Sequence, residues 1–361
     1  GYIRIGTGEL APELYPNKLV TKIFRRMPEV VPHLGYLGPL GLPELGRALS
    51  ERLQLEQGIE ADPANIMVAS GSLQGLQLIS VCMLKRGSRV YTEAPTYLKS
   101  LQIFQSAGMN LCGIPMDEEG IKYWNIKGAS IDSLLYTIPT HHNPTGLVMS
   151  EERRKALLSF CQKNCLPVLE DDAYGQLWFE EKPPKAIKAS DKTGSVIYLG
   201  TVSKTMAPGL RIGWVVGPEA VVQRLGDVKM QTDYGASSVS QWMMTELLTS
   251  GDYDIYLDDL RRELKGRRDN ALAALRRNFN DMATWNRPSG GFYIWLRLNK
   301  KVPIDKVFHE ALQHGLLLNP GNIYDYIENH AIRISYAYAD PEDMTLSLIH
   351  ISEPTRRRGI S

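Results

Sequence analysis

An α/β fold, with a large domain built on a mostly parallel, doubly wound sheet and a smaller α+β domain beside it, is what this sequence predicts. Three observations carry the expectation. Short apolar stretches alternate with helical patterns through the middle of the chain. Small polar groups gather just beyond several of those stretches. Past residue 256 the pattern changes to one long charged helix followed by alternating segments. The expected division is a large domain at 40–255 and a small domain made from 1–39 and 256–345.

Taken in order, Ile66 to Ala69 reads as a short buried strand, followed by Ser70-Gly71-Ser72 and a helix over Leu73 to Leu84. Arg89 to Glu93 is the next strand and Thr96 to Gln105 the next helix. Ser133 to Ile138 is a strand stopped by Pro139. Glu151 to Lys163 reads as a helix with Ser150 as its N-cap and acidic residues in its first turn, where the helix dipole favours them. Leu166 to Glu170 is an apolar strand running into Asp171 and Asp172. Ser195 to Leu199 and Arg211 to Val216 are two more strands. Asp258 to Phe279 has the charged periodicity of a long connecting helix, and Gly291 to Leu298 and Ala331 to Tyr336 alternate as strands do.

The 361 residues carry 43% apolar and 22% charged side chains, and Lys plus Arg (41) nearly balances Asp plus Glu (40), for a net charge of +1. That balance gives no electrostatic footprint for nucleic acid or an anionic membrane through this chain. No apolar run is long enough to span a bilayer and no signal segment opens the chain, so a cytoplasmic location is expected. Cys161 and Cys165, four apart, are a conceivable metal pair, but the four cysteines read as reduced thiols and no metal site is expected. The chain starts at Gly1, which suggests an upstream segment. Its tail, LSLIHISEPTR from Leu346 to Arg356, resembles a translated transposon-type sequencing adapter, so 346–361 reads as an adapter-derived tail that carries no fold argument, with a native C-terminal segment lost.

Four polar clusters sit where ligands bind in open α/β sheets, beyond the carboxyl ends of strands. Ser70-Gly71-Ser72 offers a glycine and helix N–H groups suited to a phosphate, although alone it is more often an ordinary turn and cap. Asn143-Pro144-Thr145-Gly146 holds an amide at a fixed turn. Asp171 and Tyr174 offer a carboxylate for a protonated ring nitrogen and a phenol for a ring oxygen, against the alternative of a helix cap. Thr201-Val202-Ser203-Lys204, with Arg211 seven positions on, combines two hydroxyls and a guanidinium with an amine that neighbouring positive charge makes nucleophilic. Together they complement one ligand: a phosphate, a pyridinium, a phenolate and an aldehyde. That ligand is pyridoxal 5′-phosphate.

The strings SGSLQGL, EAPTY, HHNPTG, EDDAY and YLGTVSKTMAPGLRIGW, in this order, resemble the fold-type I pyridoxal-phosphate-dependent aminotransferases of class I and II. The 2-aminoadipate and kynurenine aminotransferase-like subgroup is the nearest in pattern, together with the aminotransferase-like domain of MocR-type, GntR-family regulators. The resemblance implies that Lys204 forms the Schiff base and shuttles a proton, Asp171 holds the pyridine nitrogen, Asn143 and Tyr174 bond the ring oxygen, and Tyr97 stacks on the ring. It gives the phosphate to Ser72, the Leu73 N–H, Thr201, Ser203 and Arg211. It also gives Tyr36 to the phosphate of a neighbouring subunit in a homodimer. Arg333 would clamp the substrate α-carboxylate, with Gly8 and Asn143 lining the same pocket. Thr7-Gly8-Glu9-Leu10 departs from the family's GGxP, Leu73 replaces a common glutamine, and His141 and His142 read as spacers.

Two functions are implied. The first is an aminotransferase moving an amino group between an amino acid and a 2-oxo acid. The second is an effector-sensing domain of a MocR-type regulator whose winged helix lies upstream of Gly1. A lyase acting on β-substituted amino acids is a third use of the same fold.

Overall fold

The computed structural model describes residues 2–30, 34–299, 304–313, 316–320 and 330–359. The chain opens with β1 (Ile3–Arg4), α1 (Asn17–Phe24), α2 (Met27–Val30) and α3 (Pro43–Gln57). The large sheet is then laid down by β2 (Ile66–Ala69), β3 (Arg89–Ala94), β4 (Asn110–Asp117), β5 (Gly120–Ile121), β6 (Leu134–Thr137), β7 (Val168–Asp172), β8 (Val196–Thr201) and β9 (Gly213–Val216). Between them run α4 (Ser72–Met83), α5 (Leu98–Ser106) and α6 (Glu151–Lys163). Next come α7 (Glu219–Asp233), α8 (Ser238–Ser250) and the long α9 (Asp252–Phe279). A second body follows, with β10 (Ala283–Trp285), β11 (Tyr293–Leu298), α10 (Ile304–Gln313), β12 (Leu316–Leu317), β13 (Asn319–Pro320), β14 (Ala331–Ser335) and α11 (Pro341–Gly359).

The large sheet has the order β2-β9-β8-β7-β6-β3-β4-β5. Strands β4, β3, β6, β7 and β8 are parallel, and every residue of β2, β6, β8 and β9 is buried. Burial on both faces is why these strands read as continuous apolar runs instead of alternating ones. One face packs Met67, Leu76, Ile79, Val90 and Val215 beneath α4, α5 and α7, and the other packs Leu135, Leu157, Val168 and Val196 beneath α6. Two strands depart from parallel order: β5 is antiparallel to β4, and β9 is antiparallel to both β2 and β8. Its reversal brings the start of β9 to the sheet edge where β2 and β8 end: Gly213 pairs with both Ala69 and Thr201.

Local signals set the ends of several elements. The Ser150 hydroxyl accepts the Arg153 N–H and caps α6, an interaction worth about 1 kcal/mol. Gly58 closes α3 in the left-handed conformation at φ 66°. Where the expected helix started at Thr96, α5 instead begins at Leu98, with extended Tyr97 as its N-cap. Asp171 and Asp172 lie inside β7 instead of beyond it.

The smaller sheet has the order β10-β11-β14-β13 and is antiparallel; β1 pairs separately with β12. Residues 346–359 belong to α11, with Met344, Leu348 and Ile351 buried against the core. Spacings of four and three residues put these side chains on one helix face, which is why the string packs as a helix irrespective of its resemblance to an adapter.

Candidate active site

The carboxyl ends of β2, β6, β7 and β8 and the start of β9 define one edge of the large sheet, and the polar clusters all fall there. At the β2 end the chain turns through Ser70 and Gly71 (φ 91°) into α4, whose first N–H groups have no side-chain cap. A Cβ on Gly213 would stand 2.6 Å from the Ser72 nitrogen. Only glycine lets β9 run this close beneath the helix N-terminus. Thr201 Oγ1 lies 3.1 Å from Ser203 Oγ and also accepts the Ser203 N–H at 3.1 Å, so both hydroxyls share one tight turn. Arg211 adopts φ 54°, is exposed, and donates to the Ser70 carbonyl at 3.4 Å. Helix N–H groups, two hydroxyls and an exposed guanidinium on one corner form a site suited to a phosphate dianion.

One strand over, Asp171 is buried, and Tyr136 donates to its Oδ2 at 2.5 Å. Ser100 Oγ lies 2.7 Å from the same phenol oxygen. Asp171 Oδ1 is also buried and has no hydrogen-bond partner among the described residues. Burial pushes this carboxyl up to about 6, against the opposing pull of the Tyr136 bond. An unpartnered buried carboxylate oxygen is costly unless it meets a donor or a positive charge.

Lys204 projects from the turn after β8 and donates to the Gly8 carbonyl at 2.8 Å. Its Nζ lies 5.9 Å from the centre of the Tyr174 ring. Burial, then the positive charges of Arg333 and Lys99, hold its amine down at about 8, so far more of it is neutral and nucleophilic near neutral pH than of an ordinary lysine. The Tyr174 phenol is 2.6 Å from the Tyr293 phenol, and burial raises its pKa well above the ordinary value.

Arg333 reaches the same space from β14. It donates to Asn143 Oδ1 at 2.9 Å and to the Gly6 carbonyl at 2.7 Å, and it lies over the Tyr293 ring at 4.4 Å. Gly8 leaves this corner open: a Cβ there would sit 2.5 Å from Tyr293 Oη and 3.3 Å from Arg333 Nη2. A planar guanidinium fixed by two acceptors and a ring face is suited to recognising a carboxylate in its own plane.

The structure therefore gathers Lys204, Asp171, Asn143, Tyr174, Arg333 and Gly8 around one space, with Ser72, Leu73, Thr201, Ser203 and Arg211 at the corner where α4 begins. Tyr97 stands at the start of α5, close enough to raise the pKa of both Tyr136 and Tyr174. Tyr36 is different: it is 85% exposed and its ring meets that of Tyr234 at a tilt, with the ring centres 5.5 Å apart. His141 and His142 are buried, and burial pushes both rings down to about 3, so they are neutral. His142 lies 2.7 Å from Thr145 Oγ1 and 3.3 Å from Thr96 Oγ1, holding the loop. Cys161 is buried with its thiol pushed up to about 12, while Cys165 is exposed beyond the end of α6.

Three site residues escaped the sequence reading: Tyr136, Tyr293 and Lys99. Tyr136 had a signal, because a phenol in the middle of a buried strand needs a partner for its hydroxyl. Tyr293 had none, since it reaches the site through tertiary packing, and Lys99, exposed on α5, acts on Lys204 only through its charge.

A family model described as "Aminotransferase class I and II" matches residues 16–351. An uncharacterized HTH-type transcriptional regulator YisV of Bacillus subtilis is 49% identical over 362 residues, covering 99% of this chain and 75% of the relative. The HTH-type transcriptional regulator NorG of Staphylococcus aureus is 34% identical, covering 97% of this chain and 80% of its own length. Among solved structures, kynurenine aminotransferase of Pyrococcus horikoshii superposes with a TM-score of 0.92 at 31% identity, over 99% of this chain and 91% of that one. LysN, the α-aminoadipate aminotransferase of Thermus thermophilus, gives 0.90 at 28%, over 99% and 93%.

Proposed function

Because this chain belongs to the aminotransferase class I and II family, we propose that it holds pyridoxal 5′-phosphate on Lys204, captures an α-amino acid there, and serves as the amino-acid-responsive domain of an HTH-type regulator of the MocR kind. The observation that carries the cofactor is the buried, unpartnered Oδ1 of Asp171, which lies on the same sheet edge as Lys204 and the phosphate-suited corner. A protonated ring nitrogen supplies the positive donor this oxygen lacks.

In this reading Ser72, the Leu73 N–H, Thr201, Ser203 and Arg211 hold the phosphate, Asn143 and Tyr174 face the ring oxygen, and Tyr97 covers the ring. When bound, the cofactor supplies an electrophilic carbon for amines and an electron sink for a breaking Cα bond. Everything else falls to the chain. Lys204 provides the neutral amine and, once displaced, a base for the Cα proton. Arg333 grips the α-carboxylate and Gly8 keeps that corner open, so an amine without a carboxylate is held less well. Tyr36, exposed on the surface, serves a second copy of the chain in a homodimer.

The regulator role is supported by relatives of that name whose similarity covers nearly this whole chain. A second reading, full transamination between an amino acid and a 2-oxo acid, is favoured by the assembled Lys204, Asp171 and Arg333 and by the 31%-identical kynurenine aminotransferase. A screen of amino acids against the cofactor-loaded protein, read by absorbance, tests both. An α-amino acid should shift the spectrum, and the matching amine without a carboxylate should not. Release of a single equivalent of oxo acid, or none, supports sensing, and many equivalents in the presence of a second oxo acid support turnover. No spectral response to any α-amino acid contradicts both.

A further inference from the structure

Behind the phosphate corner lies an ion-paired network that none of the proposed contacts uses. Lys229, on α7, has a side chain only 1% exposed. Its Nζ donates to Asp233 at 2.8 and 2.6 Å and to the Ser70 hydroxyl at 3.2 Å. Asp233 also accepts the Gln74 side-chain amide at 2.8 Å, the Gly235 N–H at 2.8 Å and the Ser70 hydroxyl at 3.3 Å. Gln74 in turn accepts the Ser70 N–H at 2.8 Å, and Arg211 donates to the Ser70 carbonyl. Every polar group of Ser70 is thus fixed from a neighbouring element, one residue before the Gly71 turn into α4.

The arrangement has a direction. Gly71 is the conformationally free position between Ser70 and the uncapped N–H groups of Ser72 and Leu73. Without a grip on Ser70, that turn has latitude to point its N–H groups elsewhere. The Lys229–Asp233 pair carries no net charge, so its effect on an anion is exerted through position more than through field. Burying an ammonium this completely costs solvation, which only a fixed and fully bonded geometry offsets. We propose that Lys229, Asp233 and Gln74 are positioning residues that preset the Ser70–Leu73 turn for the phosphate of the ligand.

This inference depends on the pyridoxal-phosphate reading, and a comparison of pyridoxal 5′-phosphate with pyridoxal, which lacks the phosphate, separates the two. The affinity of each compound is measured by absorbance titration for the wild type and for Gln74→Ala, Asp233→Asn and Lys229→Met. Gln74→Ala removes only a half-buried bridging amide, so it keeps the test valid should the buried pair prove necessary for folding. Losing a bond to an ionised partner predicts that the phosphorylated compound binds about tenfold more weakly to each variant. Binding of pyridoxal should change by less than about twofold, because its ring and amine contacts are untouched. Equal losses for both compounds, or no loss for either, would overturn the positioning role. A wild type that binds neither compound, or that binds both alike, would instead sink the cofactor reading.

Discussion

The two ends of the candidate site are built in opposite ways. The end that would take the cofactor is local: each of its residues sits within a few positions of a strand end in one sheet, so Ser72 follows β2, Asp171 lies in β7 and Lys204 follows β8. The end that would take the amino acid is assembled across the chain. Arg333 bonds Gly6 over a separation of 327 residues and Asn143 over 190, and Tyr293 meets Tyr174 over 119. The first kind of site is stabilised by the sheet beneath it, and the second exists only when the N-terminal segment, the large sheet and the small sheet are all in register. Changes at the two ends should therefore separate cofactor binding from amino-acid binding.

Arg333→Leu gives the sharpest separation. Removing one partner of a buried, hydrogen-bonded charge costs about 2–5 kcal/mol, or roughly thirtyfold to several thousandfold in α-amino-acid affinity. Cofactor affinity, titrated in the same preparation, should fall far less, by about tenfold at most, because Arg333 reaches the cofactor end only through its bond to Asn143 and its charge on Lys204. Asp171→Asn acts at the other end. It replaces the carboxylate facing the ring nitrogen, and cofactor affinity should fall by about tenfold to a hundredfold, the loss of a charge-assisted bond. Loss of amino-acid affinity alone in that variant would break the division.

Gly8→Ala is a smaller perturbation with a specific remedy. The new methyl would stand 2.5 Å from Tyr293 Oη, so amino-acid affinity should drop by about tenfold, within the 1–3 kcal/mol typical of overpacking. Tyr293→Phe removes that oxygen and should recover much of the loss, and a double-mutant cycle with no coupling would show that the contact is not the cause.

The smallest effect is a displaced pH profile. Lys204 must be neutral to attack, and with its amine held down at about 8 the rate of cofactor attachment should rise with pH and level off above that value. Arg333 and Lys99 both lower it, so neutralising Lys99 as Lys99→Met should move the profile to higher pH. A shift to lower pH would reverse the assigned sign.

The same contrast explains what could be read from the sequence. β2, β6 and β8 were legible because strands buried on both faces are apolar throughout, and the α6 boundary was legible because Ser150 is a cap with acids behind it. The local half of the site followed, since a strand end fixes where its next residue points. The antiparallel setting of β9 was not legible: Arg211 to Val216 has the composition of any buried strand, and its direction is decided by pairing with β2 and β8. Nor was the helical packing of 346–359, whose buried face rests on only a few apolar side chains, among them Leu348 and Ile351. Tyr293 could not be placed from sequence because no local periodicity encodes which loop a side chain meets across two lobes, and Lys99, exposed on α5, acts on Lys204 only through its charge. Tyr36, whose proposed partner is another copy of the chain, is exposed and meets the Tyr234 ring at a tilt.

The central claim is that one lysine of this chain holds the cofactor. Borohydride reduction of the protein loaded with pyridoxal 5′-phosphate, followed by proteolysis and mass analysis of the peptides, tests it directly. The account predicts the reduced cofactor on the peptide containing Lys204, and its disappearance in Lys204→Ala. Attachment to another lysine, such as Lys99 or Lys229, or a label that persists in Lys204→Ala, would contradict it.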